Sequence, residues 1–96
     1  MKIITLCGST KFEKEYHEIN KKLTLDGNVV ISVGVFDFKS PDKEKVRNLL
    51  QAIHRKKIDM ADEIFIVNVG GYVGEHTADE IEYAKRIGKP IKYLVS

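Results

Sequence analysis

The segment GEHTADEIEYAKRIGKP, residues 74–90, runs from a glycine loop into a helical pattern and carries His76, Thr77, Asp79 and Glu80 close together. Two chemistries compete for Glu80. Thr77 and Glu80 are spaced as a T-x-x-E capping box, in which the glutamate only satisfies orphan backbone amides at a helix start. Glu80 also shares a helical face with Ala84 and Ile87. Its carboxylate then borders apolar surface beside a ligand loop, where a half-buried acid can be tuned as a nucleophile or base. His76, Asp79 and Glu80 form a third combination, but their spacing matches no established metal site, and no metal is expected.

A second cluster lies at CGSTK, residues 7–11. Gly8, Ser9, Thr10 and Lys11 bring backbone amides, two hydroxyls and an ammonium to a helix start, a set that suits a phosphate or other anion. Thr10 and Glu13 have capping-box spacing as well, so capping and anion binding both fit the same residues. The spacing is neither that of a P-loop nor that of a dinucleotide fingerprint. Cys7 reads as a small buried hydrophobe, because Glu13 stands where a cysteine phosphatase loop needs its arginine.

The elements that must position these residues follow from periodicity. IITLC (3–7), VVISV (29–33), EIFIVNV (63–69) and IKYLV (91–95) are short apolar, β-branched runs that read as strands. Between the first two, Phe12, Tyr16, Ile19 and Leu23 form an amphipathic stripe from Ser9 to about Asp26, stopped by Asp26-Gly27-Asn28. Ser40-Pro41 is a helix start, and Val46, Leu49, Leu50 and Ile53 give the following helix a core face to about Ala61. Thr77 to Ile87 is the third helix, ended by Gly88 and Pro90. The order β-α-β-α-β-α-β predicts an α/β fold: a small doubly wound (flavodoxin-like, Rossmann-like) parallel sheet of about four strands, order 2-1-3-4, with helices on both faces. In such a sheet ligands bind where the strand order reverses, between strands 1 and 3. The two loops that meet there are the glycine-rich segments already singled out.

Ninety-six residues make one domain, spanning 1–96. With 43% hydrophobic and 31% charged residues and a net charge of +2, no strong field points to nucleic acid or a membrane surface. One cysteine excludes an intrachain disulfide and a cysteine-rich zinc site. The chain opens on a strand-like run without signal-peptide character, and no apolar stretch approaches the roughly 20 residues that span a bilayer. A cytoplasmic protein without cofactor is expected.

With these residues in place, a resemblance emerges. TADEIEYAKRIGKPI resembles the glutamate-bearing segment of the nucleoside 2-deoxyribosyltransferases and related nucleotide N-hydrolases. LCGSTK is similar to the C-G-S-x-R opening of the deoxynucleoside-monophosphate N-hydrolases, with Lys11 at the arginine position, and IDMADEIFIVNV looks like their third-strand entry. The resemblance implies an N-glycosidic bond hydrolase or transferase in which Glu80 attacks the anomeric carbon of a (deoxy)ribose. Gly8, Ser9, Thr10, Lys11, His54, Gly74, His76 and Thr77 would then hold a nucleoside or 5′-nucleotide, with Ser9 and Lys11 on the phosphate. The family carries a tyrosine where this chain has Thr5 and an aspartate where it has His54. The glycine loop is longer and lacks the usual acidic or serine residue at Gly74. These departures count against base transfer and leave hydrolysis, or a non-catalytic nucleotide-binding module on the same fold. The resemblance further implies a homodimer or higher oligomer, and the loop residues Tyr72, Val35, Phe36 and Phe38 offer apolar surface for it.

Overall fold

The computed structural model describes residues 1–33 and 42–95. Four strands, β1 (Ile3–Gly8), β2 (Val29–Ile31), β3 (Glu63–Val67) and β4 (Ile91–Tyr93), form one parallel sheet in the order β2-β1-β3-β4. Three helices connect them: α1 (Glu13–Leu25), α2 (Lys43–Met60) and α3 (Glu75–Arg86). This is the doubly wound arrangement the periodicity predicts, with the reversal of strand order between β1 and β3.

Side-chain alternation along β1 divides the core. Ile4 and Leu6 pack with Val67 against Tyr16 and Ile19 of α1, and Phe12 and Leu23 complete that stripe. On the other face Cys7, Ile64 and Ile66 pack against Ile58 of α2 and Ala84 of α3. Leu6, Ile64, Ile66 and Val67 are wholly buried, and each such side chain contributes about 1.5–3 kcal/mol. Only β1 and β3 are mostly buried, with Ile3, Gly8 and Phe65 partly exposed. β2 and β4 are three-residue edge strands with half-exposed side chains, shorter and more open than the predicted runs at 29–33 and 91–95.

The first and third helices start elsewhere than expected, the third at Glu75 instead of Thr77. The segment Ser9 to Phe12 is not α-helical: Thr10–Phe12 form a 3-10 turn with Ser9 as its cap, and α1 begins at Glu13. The Thr10–Glu13 capping box is therefore not formed. Ser40 and Pro41, with Val35, Phe36 and Phe38, lie outside the described residues; within them α2 begins at Lys43, where Asp42 Oδ1 accepts the Lys45 N–H at 2.9 Å.

α2 also turns a different face to the core. His54 and Ile58 are its buried residues, whereas Leu49 and Ile53 are 58% and 43% exposed. Length explains this. Eighteen residues of helix reach about 27 Å, against about 20 Å for the six-residue β1, so the N-terminal half of α2 extends past the carboxyl edge of the sheet. There it walls a cleft instead of covering strands.

The third helix ends as its sequence predicts. Gly88 takes φ +74, its N–H donates to Lys85 C=O and the Lys89 N–H donates to Ala84 C=O, a Schellman closure. Asn68, buried just after β3, donates to Val95 C=O and accepts the Val95 N–H, which ties the chain beyond β4 to the centre of the sheet.

Candidate functional site

β1 ends at Gly8 and β3 at Val67, paired residues at the carboxyl edge where the strand order reverses. A cleft of about 500 Å³ opens there. Gly8, Ser9 and Thr10 line it from the loop after β1, and Tyr72 and Gly74 from the loop after β3. Glu75, His76, Thr77 and Glu80 line it from α3. The overhanging half of α2 supplies Arg47, Leu50 and Gln51, the half packed on the sheet supplies Ile53, His54 and Lys57, and Val33 closes the wall after β2. The structure thus brings together Gly8, Ser9, Thr10, His54, Gly74, His76, Thr77 and Glu80.

Lys11 stands apart. Its ammonium sits 3.5 Å from the centroid of the Tyr72 ring and 5.2 Å from that of Phe12, and it is absent from the cleft wall. Tyr72 and Phe12 meet edge to face at 5.9 Å. This stack clamps the two glycine-rich loops together, so Lys11 is placed to rivet the rim. The cations that do line the cleft are Arg47 and Lys57; the Lys57 ammonium donates to Ser32 C=O at 3.0 Å. Neither stands out in sequence, because each is one basic residue among several on a helix.

The capping reading of Glu80 does not hold. α3 begins at Glu75 with Gly74 as its N-cap, and the Ala78 N–H already donates to Gly74 C=O at 2.9 Å. Thr77 lies inside the first turn and is buried, while Glu80 follows in the second turn. A T-x-x-E box needs its threonine at the cap, three residues before the acid at N3. Here the glycine takes the cap, so that role is closed to Glu80.

Glu80 instead points inward with Ala84, though Ile87 at the end of that predicted face is 41% exposed. Its side chain is 18% exposed, and Oε2 lies 3.4 Å from His54 Nε2. Oε2 is buried without a hydrogen-bond donor among the described residues. Asp79 lies outside the cleft wall, so His76, Asp79 and Glu80 do not form one cluster.

Beneath Glu80 lies Cys7. It is buried, as expected, but not inert packing: its Sγ is 3.2 Å from the same His54 Nε2. Burial pushes the Cys7 thiol well above its ordinary range, and the negative charge of Glu80 adds to the effect. Tyr16, buried below Gly8, is raised by burial and then by Cys7 and Glu80, and its hydroxyl too has no partner among the described residues. Thr5 is fully buried, and its hydroxyl donates to Lys57 C=O at 2.8 Å, which anchors α2 to β1.

These groups allow specific chemistry. A carboxylate oxygen with no hydrogen bond to blunt it is a competent nucleophile, and the His54 imidazole lies beside it at 3.4 Å. Two glycine-rich loops give backbone groups room to approach a ligand. Compared with known proteins, the chain matches no family model, no curated protein and no solved structure. No helix among the described residues is long and apolar enough to cross a membrane.

Proposed function

We propose that this protein hydrolyses, or exchanges, the N-glycosidic bond of a nucleoside or nucleotide, with Glu80 as the nucleophile. The observation that carries the reading is the Glu80 carboxylate: excluded from capping, half-buried in the cleft wall, with Oε2 lacking a hydrogen-bond donor among the described residues. The reading also draws on the resemblance of residues 77–91 to the glutamate-bearing segment of the deoxyribosyltransferases and N-hydrolases.

In this reading Oε2 attacks the anomeric carbon as its bond to the base breaks, and the base leaves with the bonding pair and takes up a proton. Water then attacks the same carbon, and the sugar–Glu80 ester breaks to restore the carboxylate, the double displacement of a retaining glycosidase. His54 positions the carboxylate. Ser9, Thr10 and the start of α3 line the same cleft as Glu80, and in this reading a 5′-phosphate is held by the lining groups Arg47 and His76 rather than by Lys11. The same reading expects self-association, with the exposed Leu49, Ile53 and Tyr72 beside the cleft covered by a second copy. Sedimentation at two concentrations reads this out, and a concentration-independent monomer contradicts it.

The test is base release, followed by chromatography, from a panel of nucleosides and 5′-nucleotides, with wild type and Glu80→Gln side by side. Release that disappears in the variant is the expected result. Absence of release from every substrate, together with a nucleotide-dependent rise in melting temperature, leaves a non-catalytic nucleotide-binding module instead.

A further inference from the structure

Cys7, His54 and Glu80 come from three different elements and meet on one ring nitrogen. His54 Nε2 lies 3.2 Å from Cys7 Sγ and 3.4 Å from Glu80 Oε2, and one donor atom from each of the three residues falls within 4.8 Å of the others. This is not the geometry of a thiol relay. In a relay the nucleophile and the acid occupy opposite nitrogens of the imidazole, so that a proton passes along the line. Here both neighbours crowd Nε2, which can carry a single hydrogen, and Glu80 Oε2 goes without one.

Three donors around a common point is the geometry of a coordination site. Zinc binds sulfur at about 2.3 Å, imidazole nitrogen at about 2.0–2.1 Å and carboxylate oxygen at about 2.0–2.2 Å, so tetrahedral donors stand about 3.4–3.6 Å apart. The two separations from Nε2 are within a few tenths of an ångström of that, and the thiol-to-carboxylate separation, at most 4.8 Å, closes by up to about 1.2 Å when the ion is held. We propose that Cys7 Sγ, His54 Nε2 and Glu80 Oε2 form a three-donor site for a thiophilic divalent cation of the zinc class, with the fourth position left to a water or ligand in the cleft.

The donor chemistry agrees. Binding expels the Cys7 thiol proton to solvent, and the imidazole binds as its Nδ1–H tautomer. A dication with one thiolate and one carboxylate is neutral overall, which keeps the cost of burying the set low. The ion also gives Oε2 the partner it lacks. Cys7 and His54 are 0% and 8% exposed, so the two softer donors are held by the core, and only Glu80 borders the cleft more openly. No other group of three such donors is found among the described residues. The inference rests on this geometry and not on the glycosidase reading. Where that reading also holds, metal loading and nucleophilic attack exclude one another, because both need Oε2.

The test uses the metal alone, with no substrate. Reduced full-length protein is titrated with Co²⁺, then with Zn²⁺ against a chromogenic chelator. Expected are one equivalent bound, a thiolate-to-cobalt charge-transfer band with the intense visible bands of four-coordinate cobalt, and displacement of that cobalt by zinc. Cys7→Ser removes the charge-transfer band, and Glu80→Gln and His54→Ala each weaken zinc binding at least ten-fold. His17→Ala, at a surface histidine paired only with Glu13, leaves binding unchanged. Circular dichroism reports whether each variant is folded, and Glu80→Gln, which keeps the side-chain shape, carries the test should Cys7→Ser or His54→Ala unfold. Absence of a charge-transfer band in wild type, its persistence in folded Cys7→Ser, or unchanged zinc affinity in folded Glu80→Gln overturns the assignment.

Discussion

Gly8 is the hinge between the central strand and the site, and Gly8→Ala is the sharpest perturbation of both. A Cβ built there falls 2.8 Å from Val67 C=O, 3.0 Å from the Tyr16 hydroxyl and 3.3 Å from Val67 Cβ, at φ +154. The closest of these is backbone of the paired strand, which cannot yield without opening the β1–β3 ladder. Overpacking of this kind costs about 1–3 kcal/mol and a glycine-only backbone conformation about 1–3 kcal/mol more, so the expected loss is about 2–6 kcal/mol. Small domains hold about 5–15 kcal/mol in all, and each kcal/mol moves the midpoint of a chain this size by about 4–8 °C. Thermal and urea denaturation of Gly8→Ala should therefore show a Tm lowered by at least about 8 °C. Gly74→Ala provides the contrast. Gly74 has an ordinary φ of −76, and its added Cβ meets only the end of the Tyr72 side chain at 3.3 Å. Its cost is expected to stay near 1 kcal/mol, the loss of a favourable N-cap. A Gly8→Ala protein that melts within about 2 °C of wild type would refute the close approach of β1, Val67 and Tyr16 at the floor of the cleft.

Three further outcomes can be checked on purified protein. Because burial and Glu80 hold the Cys7 thiol above its ordinary range, the folded chain keeps a proton that the unfolded chain releases. Stability from this source is complete below about pH 8.5 and falls as pH rises beyond it, by up to about 1.4 kcal/mol per pH unit. Urea midpoints between pH 8 and pH 10 should fall less steeply in Cys7→Ala; parallel slopes contradict the burial argument. Asn68→Ala removes two hydrogen bonds to Val95 and should cost about 1–3 kcal/mol, with faster hydrogen exchange at the Val95 amide. Protection equal to wild type there is the contrary result. Arg47→Ala should weaken binding of a 5′-nucleotide about ten-fold, or about 1.4 kcal/mol, while Lys11→Ala leaves it within about three-fold. Calorimetric titration showing the reverse order would return the phosphate to Lys11.

The parts legible in the sequence are those governed by local pattern. β1 and β3 are apolar runs long enough to be buried on both faces, and the stripe Phe12, Tyr16, Ile19, Leu23 is regular, so strand order and the position of the cleft follow. Three things were hidden, each for a physical reason. The T-x-x-E spacing at Thr77 imitates a cap, whereas the actual cap is Gly74, a residue with no side chain to signal the role. The apolar stripe on α2 reads as core, but how far a helix extends past its sheet depends on relative lengths that periodicity does not encode. Cys7 and His54 are separated by 47 positions, and only the packing of α2 on β1 brings thiol and imidazole together. Lys11 stands away from the cleft wall for a related reason: an ammonium at a helix start suits an anion, but the face of Tyr72, far along the chain, holds it.

The nucleophilic role of Glu80 is tested most directly by intact-mass and peptide analysis of protein quenched in acid during turnover of its best substrate. The expected result is one sugar ester on the α3 peptide that contains Glu80, absent from Glu80→Gln. Base release that proceeds undiminished in Glu80→Gln, or a sugar carried on another side chain, contradicts the account.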